Sequence, residues 1–112
     1  TPDFIPLTAP PVIKSINVSL PDESSDLLFS AVINVNSIDS KFELFVSPDK
    51  GFIENVTKFE KNVTSLEDET IEFMYNARNV NDFYYYKAGL TNKNGSTVTE
   101  KSGVKPAKLQ YR

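Results

Sequence analysis

Residues 84–96, with the sequence YYYKAGLTNKNGS, carry the clearest structural pattern in this chain of 112 residues. Between Tyr84 and Leu90 the most apolar side chains recur at every second position, which is the period of a half-buried β-strand. The pair Asn94-Gly95 then lies between this run and a second strand-like run. Because Asn-Gly favours a type I′ turn, with positive φ at both central residues, we predict a β-hairpin here.

The rest of the chain repeats this alternation in short runs separated by polar turn residues. The runs lie at residues 16–20, 27–35, 42–46 and 71–75, and a last strand near Val98, Leu109 and Tyr111 is broken near Gly103 and Pro106. Residues 52–66 fit neither period well, and they predict a short edge strand or an irregular crossover. Six or seven short strands predict an all-β, immunoglobulin-like antiparallel β-sandwich, with a closed barrel as the alternative.

The length of the chain fits one domain with a hydrophobic core of its own. The first 11 residues hold four prolines, which fix φ and donate no backbone hydrogen bond. We therefore expect residues 1–11 to form a linker or tether and residues 12–112 to form the sandwich. The core residues that we expect both sheets to share are Phe29, Ile33, Leu44, Phe73, Tyr84, Tyr86 and Leu90.

The composition argues against several classes of chemistry. The chain has no cysteine and no histidine, which removes thiol nucleophiles, disulfides, zinc fingers and every histidine-based catalytic arrangement. It also has no Gly-x-Ser-x-Gly turn, and no run of apolar residues is long enough to span a membrane. We therefore expect a protein that is not an enzyme and that uses no cofactor and no metal.

Charge is distributed unevenly along the chain. Residues 1–86 carry 6 basic and 14 acidic side chains, whereas residues 87–112 carry 6 basic side chains and one acidic side chain. Because nucleic-acid-binding domains are usually basic as a whole, we expect no nucleic-acid partner. The basic end fits lysines that face water from solvated strands, or attraction to an anionic surface or glycan. The acidic run at residues 67–69 lacks the ligand spacing and the glycine of a calcium loop, so we interpret it as a solvated loop.

Residues 84–92, together with the turn at residues 94–96, resemble strand F and the F–G turn of fibronectin type III domains. Tyr84 matches the corner tyrosine of that family, and Asn92 matches the asparagine that closes the strand. Three tyrosines followed by a basic residue and alanine are similar to the variant found in bacterial surface proteins, particularly those of the Bacteroidetes. The resemblance implies a fibronectin type III-like sandwich in which the Tyr84 hydroxyl caps a backbone group while the ring fills the core.

Three residues around the corner tyrosine are candidates for ligand binding. By parity with Tyr84, the rings of Phe83 and Tyr85 face away from the core, and Lys87 follows on the same side of the strand. Exposed rings of this kind can stack on sugars or contact a protein partner. The alternative is that the rings form an aromatic pair that stiffens the sheet, or that the segment at residues 52–66 covers them.

The expected function is that of a non-catalytic structural or interaction module, with a protein or glycan partner at the cell surface. The alternative is a carbohydrate-binding accessory domain that uses Phe83, Tyr85 and Lys87. A third hypothesis is an enzyme fragment or inhibitor with a carboxylate-lined cleft. The resemblance implies an exported bacterial protein at the cell surface or in the periplasm. It also implies that the proline-rich start connects the domain to a membrane anchor outside this chain, as in a small lipoprotein.

Overall fold

A computed structural model describes residues 10–20, 26–77, 79 and 81–106. The described residues form eight strands: β1 (Val12–Ser19), β2 (Asp26–Asn34), β3 (Ser40–Ser47), β4 (Thr57–Val63), β5 (Glu69–Asn76), β6 (Tyr84–Asn92), β7 (Gly95–Val98) and β8 (Ser102–Val104). Within these ranges, no helix has the length and apolar character needed to cross a membrane.

The strands form two antiparallel sheets. One sheet has the order β1-β2-β5, and the other has the order β4-β3-β6-β7, with β8 also paired to β6. The two halves of β6 have different partners, because Gly89–Asn92 pairs with β7 and Tyr84–Tyr86 pairs with β8. No described strand belongs to both sheets, so the alternative of a closed barrel is wrong. The predicted immunoglobulin-like, fibronectin type III-like β-sandwich is confirmed.

The core lies between the two sheets and is built from the alternating positions of the strands. On β2, every second residue from Leu27 to Ile33 is buried. Phe29 packs edge-to-face against Tyr86 of the facing sheet, with the ring centroids 5.1 Å apart. Of the seven predicted core residues, five are buried, and Phe73 and Tyr86 pack against them partly buried. The period-two pattern therefore identified the inner faces correctly.

The turn between β6 and β7 differs from the prediction. Asn92 pairs with Gly95, so the two turn residues are Lys93 and Asn94. Positive φ in this turn falls on Gly95 alone, at 138°. The side-chain oxygen of Asn92 accepts a hydrogen bond from the backbone N–H of Asn94 at 2.8 Å, which is the local bond of an Asx turn. The predicted type I′ turn on Asn94-Gly95 is wrong because this bond places the turn one residue earlier.

The two ambiguous regions of the sequence contain strands at the sheet edges. Residues 52–66 include β4, which is an edge strand as one of the two alternatives predicted. The predicted last strand is divided into β7 and β8, whereas Leu109 and Tyr111 lie outside the described residues. Most of the proline-rich segment also lies outside them. Its last residue, Pro11, is buried, and its carbonyl accepts a hydrogen bond from the hydroxyl of Thr97.

Candidate functional site

The candidate residues Phe83, Tyr85 and Lys87 lie on the outer face, by which we mean the solvent side of the five-stranded sheet. Tyr84 is only 4% exposed and points into the core, so its neighbours on either side point outward. Phe83 is 45% exposed, Tyr85 is half-buried and Lys87 is exposed. The structure therefore places all three on one surface, as the parity of the strand predicts.

The rings of Phe83 and Tyr85 form a stacked pair. Their centroids are 6.4 Å apart, and their planes differ by 25°. Across the sheet, Tyr85 pairs with Gly103 of β8. A Cβ atom at position 103 would lie 3.1 Å from Cε1 of Tyr85, so the absence of a side chain lets the Tyr85 ring lie against the backbone. One side of the pair therefore lies against the backbone at Gly103, and the other side faces solvent.

Lys87 lies over an aromatic ring from a different segment. Its Nζ is 4.5 Å from the ring centroid of Phe52, which is within the range of a cation–π interaction. A second such contact joins Lys105 to Phe83, with Nζ 5.8 Å from the ring centroid. These five residues, Phe52, Phe83, Tyr85, Lys87 and Lys105, define the surface that we call the aromatic–lysine strip.

The loop that carries Phe52 is held by Asp49. The carboxylate of Asp49 accepts hydrogen bonds from three backbone N–H groups, those of Gly51 at 3.0 Å, Ile53 at 2.8 Å and Glu54 at 3.1 Å. These bonds hold the pKa of Asp49 below the ordinary value for aspartate, with the bond from Gly51 as the largest cause. Phe52 itself has φ of 54°, a backbone conformation that is uncommon for an aromatic residue.

A second anchor fixes the base of the same loop. The hydroxyl of Ser47 is fully buried, donates to the carbonyl of Glu54 at 2.8 Å and accepts from the N–H of Asp49 at 2.9 Å. Lys101, the residue before β8, donates a hydrogen bond from its Nζ to the carbonyl of Lys50 at 2.8 Å. The position of Phe52 over the outer face is therefore set by hydrogen bonds at both ends of the loop.

The charges on the outer face divide into two regions. On β3 and β4, lysines and glutamates neutralise one another in a network of salt bridges. Nζ of Lys41 lies 2.7 Å from the carboxylate of Glu60, and Nζ of Lys58 lies 3.3 Å from the carboxylate of Glu43. Around the strip, by contrast, Lys87, Lys101 and Lys105 have no carboxylate within salt-bridge distance among the described residues. Among the residues that the structure describes, this part of the face combines aromatic rings with lysines that form no salt bridge, and the charge of Lys101 contributes to the lowered pKa of Asp49.

A shallow depression of about 460 Å³ continues the strip along β6. Gly89 lies at its base, and Phe45, Lys87 and Val98 are among the residues that line it. Gly89 has no side chain, and Val98 is 75% exposed. Lys87 is thus shared between the strip and a concave, partly apolar surface.

The acidic run at residues 67–69 has a structural role. The carboxylate of Asp68 accepts hydrogen bonds from Nζ of Lys14 at 2.8 Å and from the side-chain amide of Asn34 at 2.9 Å. The bond from Lys14 is the larger cause that lowers the pKa of Asp68. Within the described ranges, no three side chains of the metal-ligating acidic, histidine or cysteine types come together as a potential metal site.

Sequence reasoning missed Phe52, Gly103 and Lys105. Phe52 lies in a segment whose apolar residues follow neither the strand period nor the helix period. Its contact with Lys87 joins residues 35 positions apart in the chain. Gly103 was noted only as a break in the last strand, although glycine inside a strand often marks a close approach of another group. That signal, together with the run of three tyrosines, could have indicated a ring lying over Gly103.

Comparisons with known proteins add little at the level of sequence. No protein-family model matches the chain. No curated protein matches it either. Among solved structures, a crystal structure of the chicken interferon gamma receptor alpha chain is similar, with a TM-score of 0.48 and 9% sequence identity. The match covers 86% of this chain and 49% of the receptor chain, so this chain spans about half the length of the protein it matches.

Proposed function

We propose that this chain is a non-catalytic interaction module that binds an acidic protein or glycan partner through the aromatic–lysine strip. The observation that carries the proposal is the stacked pair of Phe83 and Tyr85 beside Lys87 and Lys105, which form no salt bridge with any described residue. Rings supply apolar contact area, and lysines supply attraction to carboxylate or sulfate groups.

The preorganisation of the strip supports binding. The Asp49 hydrogen bonds hold the loop backbone on either side of Phe52, and the Tyr85 ring packs against Gly103, so these two rings have less freedom to lose when a partner binds. Immobilising a flexible side chain costs about 0.5–1.5 kcal/mol, and packing of these two rings in the free protein reduces that cost. The strip is therefore better suited to binding than isolated exposed side chains are.

A carbohydrate-binding accessory domain is the second candidate function. It is favoured by the open side of the Phe83–Tyr85 pair, because the C–H face of a sugar ring can pack on an exposed aromatic ring. In this form of the proposal the rings provide the affinity for neutral sugars too, and Lys87 is not required for binding.

The absence of cysteine and histidine supports a role outside catalysis. The proposal includes export to the cell surface or periplasm, as the family resemblance implies, and the domain division into a linker at residues 1–11 and a sandwich at residues 12–112. We propose no cofactor and no nucleic-acid partner.

Affinity electrophoresis tests the proposal. The wild-type chain is run in gels that contain anionic polysaccharides (alginate and chondroitin sulfate) or neutral ones (laminarin and xylan), beside Tyr85→Ala and Lys87→Ala. Lys93→Ala is the matched control, because Lys93 belongs to the same basic segment but lies in the β6–β7 turn. We expect anionic polymers to retard the wild type and the control, Lys87→Ala to weaken the retardation, and Tyr85→Ala to abolish it.

Other outcomes separate the candidates. Retardation by neutral polymers that Tyr85→Ala abolishes and Lys87→Ala preserves would favour the second candidate. Without retardation in any gel, the partner would be a protein, and a pull-down from envelope extracts would compare the wild type with Tyr85→Ala. If the variant retained every partner in that comparison, the strip would not be the binding face.

A further inference from the structure

Gly89 lies in the middle of β6, at a position where the described part of the chain does not require a glycine. Its φ is outside the left-handed region, unlike that of Gly95. A Cβ atom at position 89 would meet only Cγ1 of Val98, at an ordinary distance of 3.6 Å, whereas one at position 103 would press on the Tyr85 ring. Glycine weakens the interior of a strand, and it often marks a point where a ligand approaches the backbone closely.

The missing side chain creates the depression on the outer face, which has a volume of about 460 Å³. Gly89 pairs with Glu43 of β3 on one side and with Val98 of β7 on the other. Lys87 and Phe45, which pair with each other across the strands, line the end nearer the aromatic–lysine strip. The backbone of Gly89 is therefore the floor of the depression, and the surrounding side chains are its walls.

The walls define the chemistry of a group that would fit. Val98 is 75% exposed and Phe45 is half-buried, so both offer apolar surface that a partner can cover. The carboxylate of Glu43 is already 3.3 Å from Nζ of Lys58, whereas Lys87 forms no salt bridge with any described residue. The depression thus suits an apolar group that has an acidic group beside it.

We propose that an apolar side chain of a partner protein inserts into this depression, while a neighbouring aspartate or glutamate of the partner pairs with Lys87. A protein segment carries both groups on adjacent residues, whereas the polar substituents of an anionic polysaccharide match the lysine but not the apolar walls. Because Lys87 belongs to both surfaces, the inference rests on the proposed function for the acidic character of the partner. It adds that the partner is a protein and that Gly89 determines which side chain fits.

A displayed library of random nonapeptides, selected against the intact chain, supplies the probe. We expect the enriched peptides to share an aliphatic or aromatic residue next to an acidic one. In the NMR spectrum of the ¹⁵N-labelled chain, a selected peptide should shift the amide signals of Phe45, Lys87, Gly89 and Val98. The amide signals of β2 should stay in place, because β2 belongs to the other sheet.

Variants at position 89 test the depression directly. Gly89→Val fills it and should weaken binding of a selected peptide by about tenfold or more, the effect of one extra methylene in an apolar pocket. Asn62→Val is the matched control, because it places the same side chain on β4, outside the depression, and should leave the affinity unchanged. If Gly89→Val disturbs the strand, Gly89→Ala repeats the test with a single methyl group. Its melting temperature should be no lower than that of the wild type.

Tyr85→Ala separates this inference from the proposed function. Unchanged affinity in the position 89 variants, with lost affinity in Tyr85→Ala, would overturn the depression as a site and leave the strip as the binding face. The reverse pattern would overturn the strip and support the depression, which Lys87 also lines. The inference is also overturned if Gly89→Ala melts below the wild type or if no peptide is enriched. Polysaccharide retardation that Gly89→Val abolishes would in that last case assign the depression to a glycan.

Discussion

The hydroxyl of Tyr84 is hydrogen-bonded to both backbone groups of Asn79. The N–H of Asn79 donates to the hydroxyl oxygen at 3.0 Å, and the hydroxyl lies 3.3 Å from the carbonyl oxygen to which it donates. The same ring packs edge-to-face against Tyr75 at 5.5 Å. One side chain thus fixes the corner between β5 and β6 and fills the core, as the resemblance to fibronectin type III domains implies. Because Phe83 and Tyr85 flank it, the corner also positions the strip.

Removing this hydroxyl should weaken the fold while leaving its architecture intact. Tyr84→Phe keeps the buried ring but removes both hydrogen bonds to Asn79. We expect the free energy of unfolding in urea to fall by about 1–2 kcal/mol. Tyr86→Phe is the control, because the Tyr86 hydroxyl forms no hydrogen bond to a side chain or backbone group in the described ranges. Equal losses in the two variants would contradict a special role for the corner.

Inner and outer rings should differ strongly in their contribution to stability. Phe29 is buried between Tyr75 and Tyr86, so Phe29→Ala should cost about 3–5 kcal/mol. Phe83→Ala removes a half-exposed ring and should cost about 1 kcal/mol or less. Equilibrium unfolding of the two variants measures this difference. A large loss for Phe83→Ala would mean that the outer ring pair serves the fold more than it serves binding.

A side chain at position 103 should displace the Tyr85 ring. The Cβ of Gly103→Ala would lie 3.1 Å from the ring, closer than side-chain atoms normally pack. We expect the ring-proton signals of Tyr85 and Phe83 to shift in the NMR spectrum, while the free energy of unfolding changes by about 1 kcal/mol or less. Gly89→Ala is the matched control on β6, because its Cβ would meet Val98 at an ordinary distance of 3.6 Å. Unchanged Tyr85 signals in Gly103→Ala would contradict the described stacking.

The Asp49 loop should lose its order in acid. The folded pKa of Asp49 is lowered by the N–H groups of Gly51, Ile53 and Glu54, so the stabilisation is fully present above the ordinary pKa of about 3.9. It is lost as the pH falls through the lower folded pKa. A titration of the Gly51 and Ile53 amide signals from neutral pH into acid should therefore show a midpoint below that ordinary value. The contact between Phe52 and Lys87 should weaken over the same range.

Asp49→Asn is the control for this titration. The amide oxygen can still accept a hydrogen bond, but the group no longer ionises, so the acid transition of the loop amides should disappear. A midpoint at or above the ordinary aspartate value in the wild type would contradict the described hydrogen bonds. In that case Phe52 would not be held over the outer face by the carboxylate.

Prediction from sequence succeeded where one strand carries the information. The alternation from Tyr84 to Leu90 identified the inner face of β6, and the same parity placed Phe83 and Tyr85 on the opposite side. It failed at the β6–β7 turn, because the preference of Asn-Gly for a type I′ turn competes with the Asn92 side chain. Turn position depends on which of two local hydrogen-bonding patterns has the lower free energy, and the dipeptide alone does not decide that.

The sequence by itself determined the class of fold and the two faces of each strand, because successive side chains on a strand must point to opposite sides. Only the tertiary structure decided which groups meet on those faces. Strand register places Gly103 beneath Tyr85, and the hydrogen bonds of Asp49 place Phe52 beneath Lys87. These relationships join residues distant in sequence, and the packing of the whole domain sets their energies.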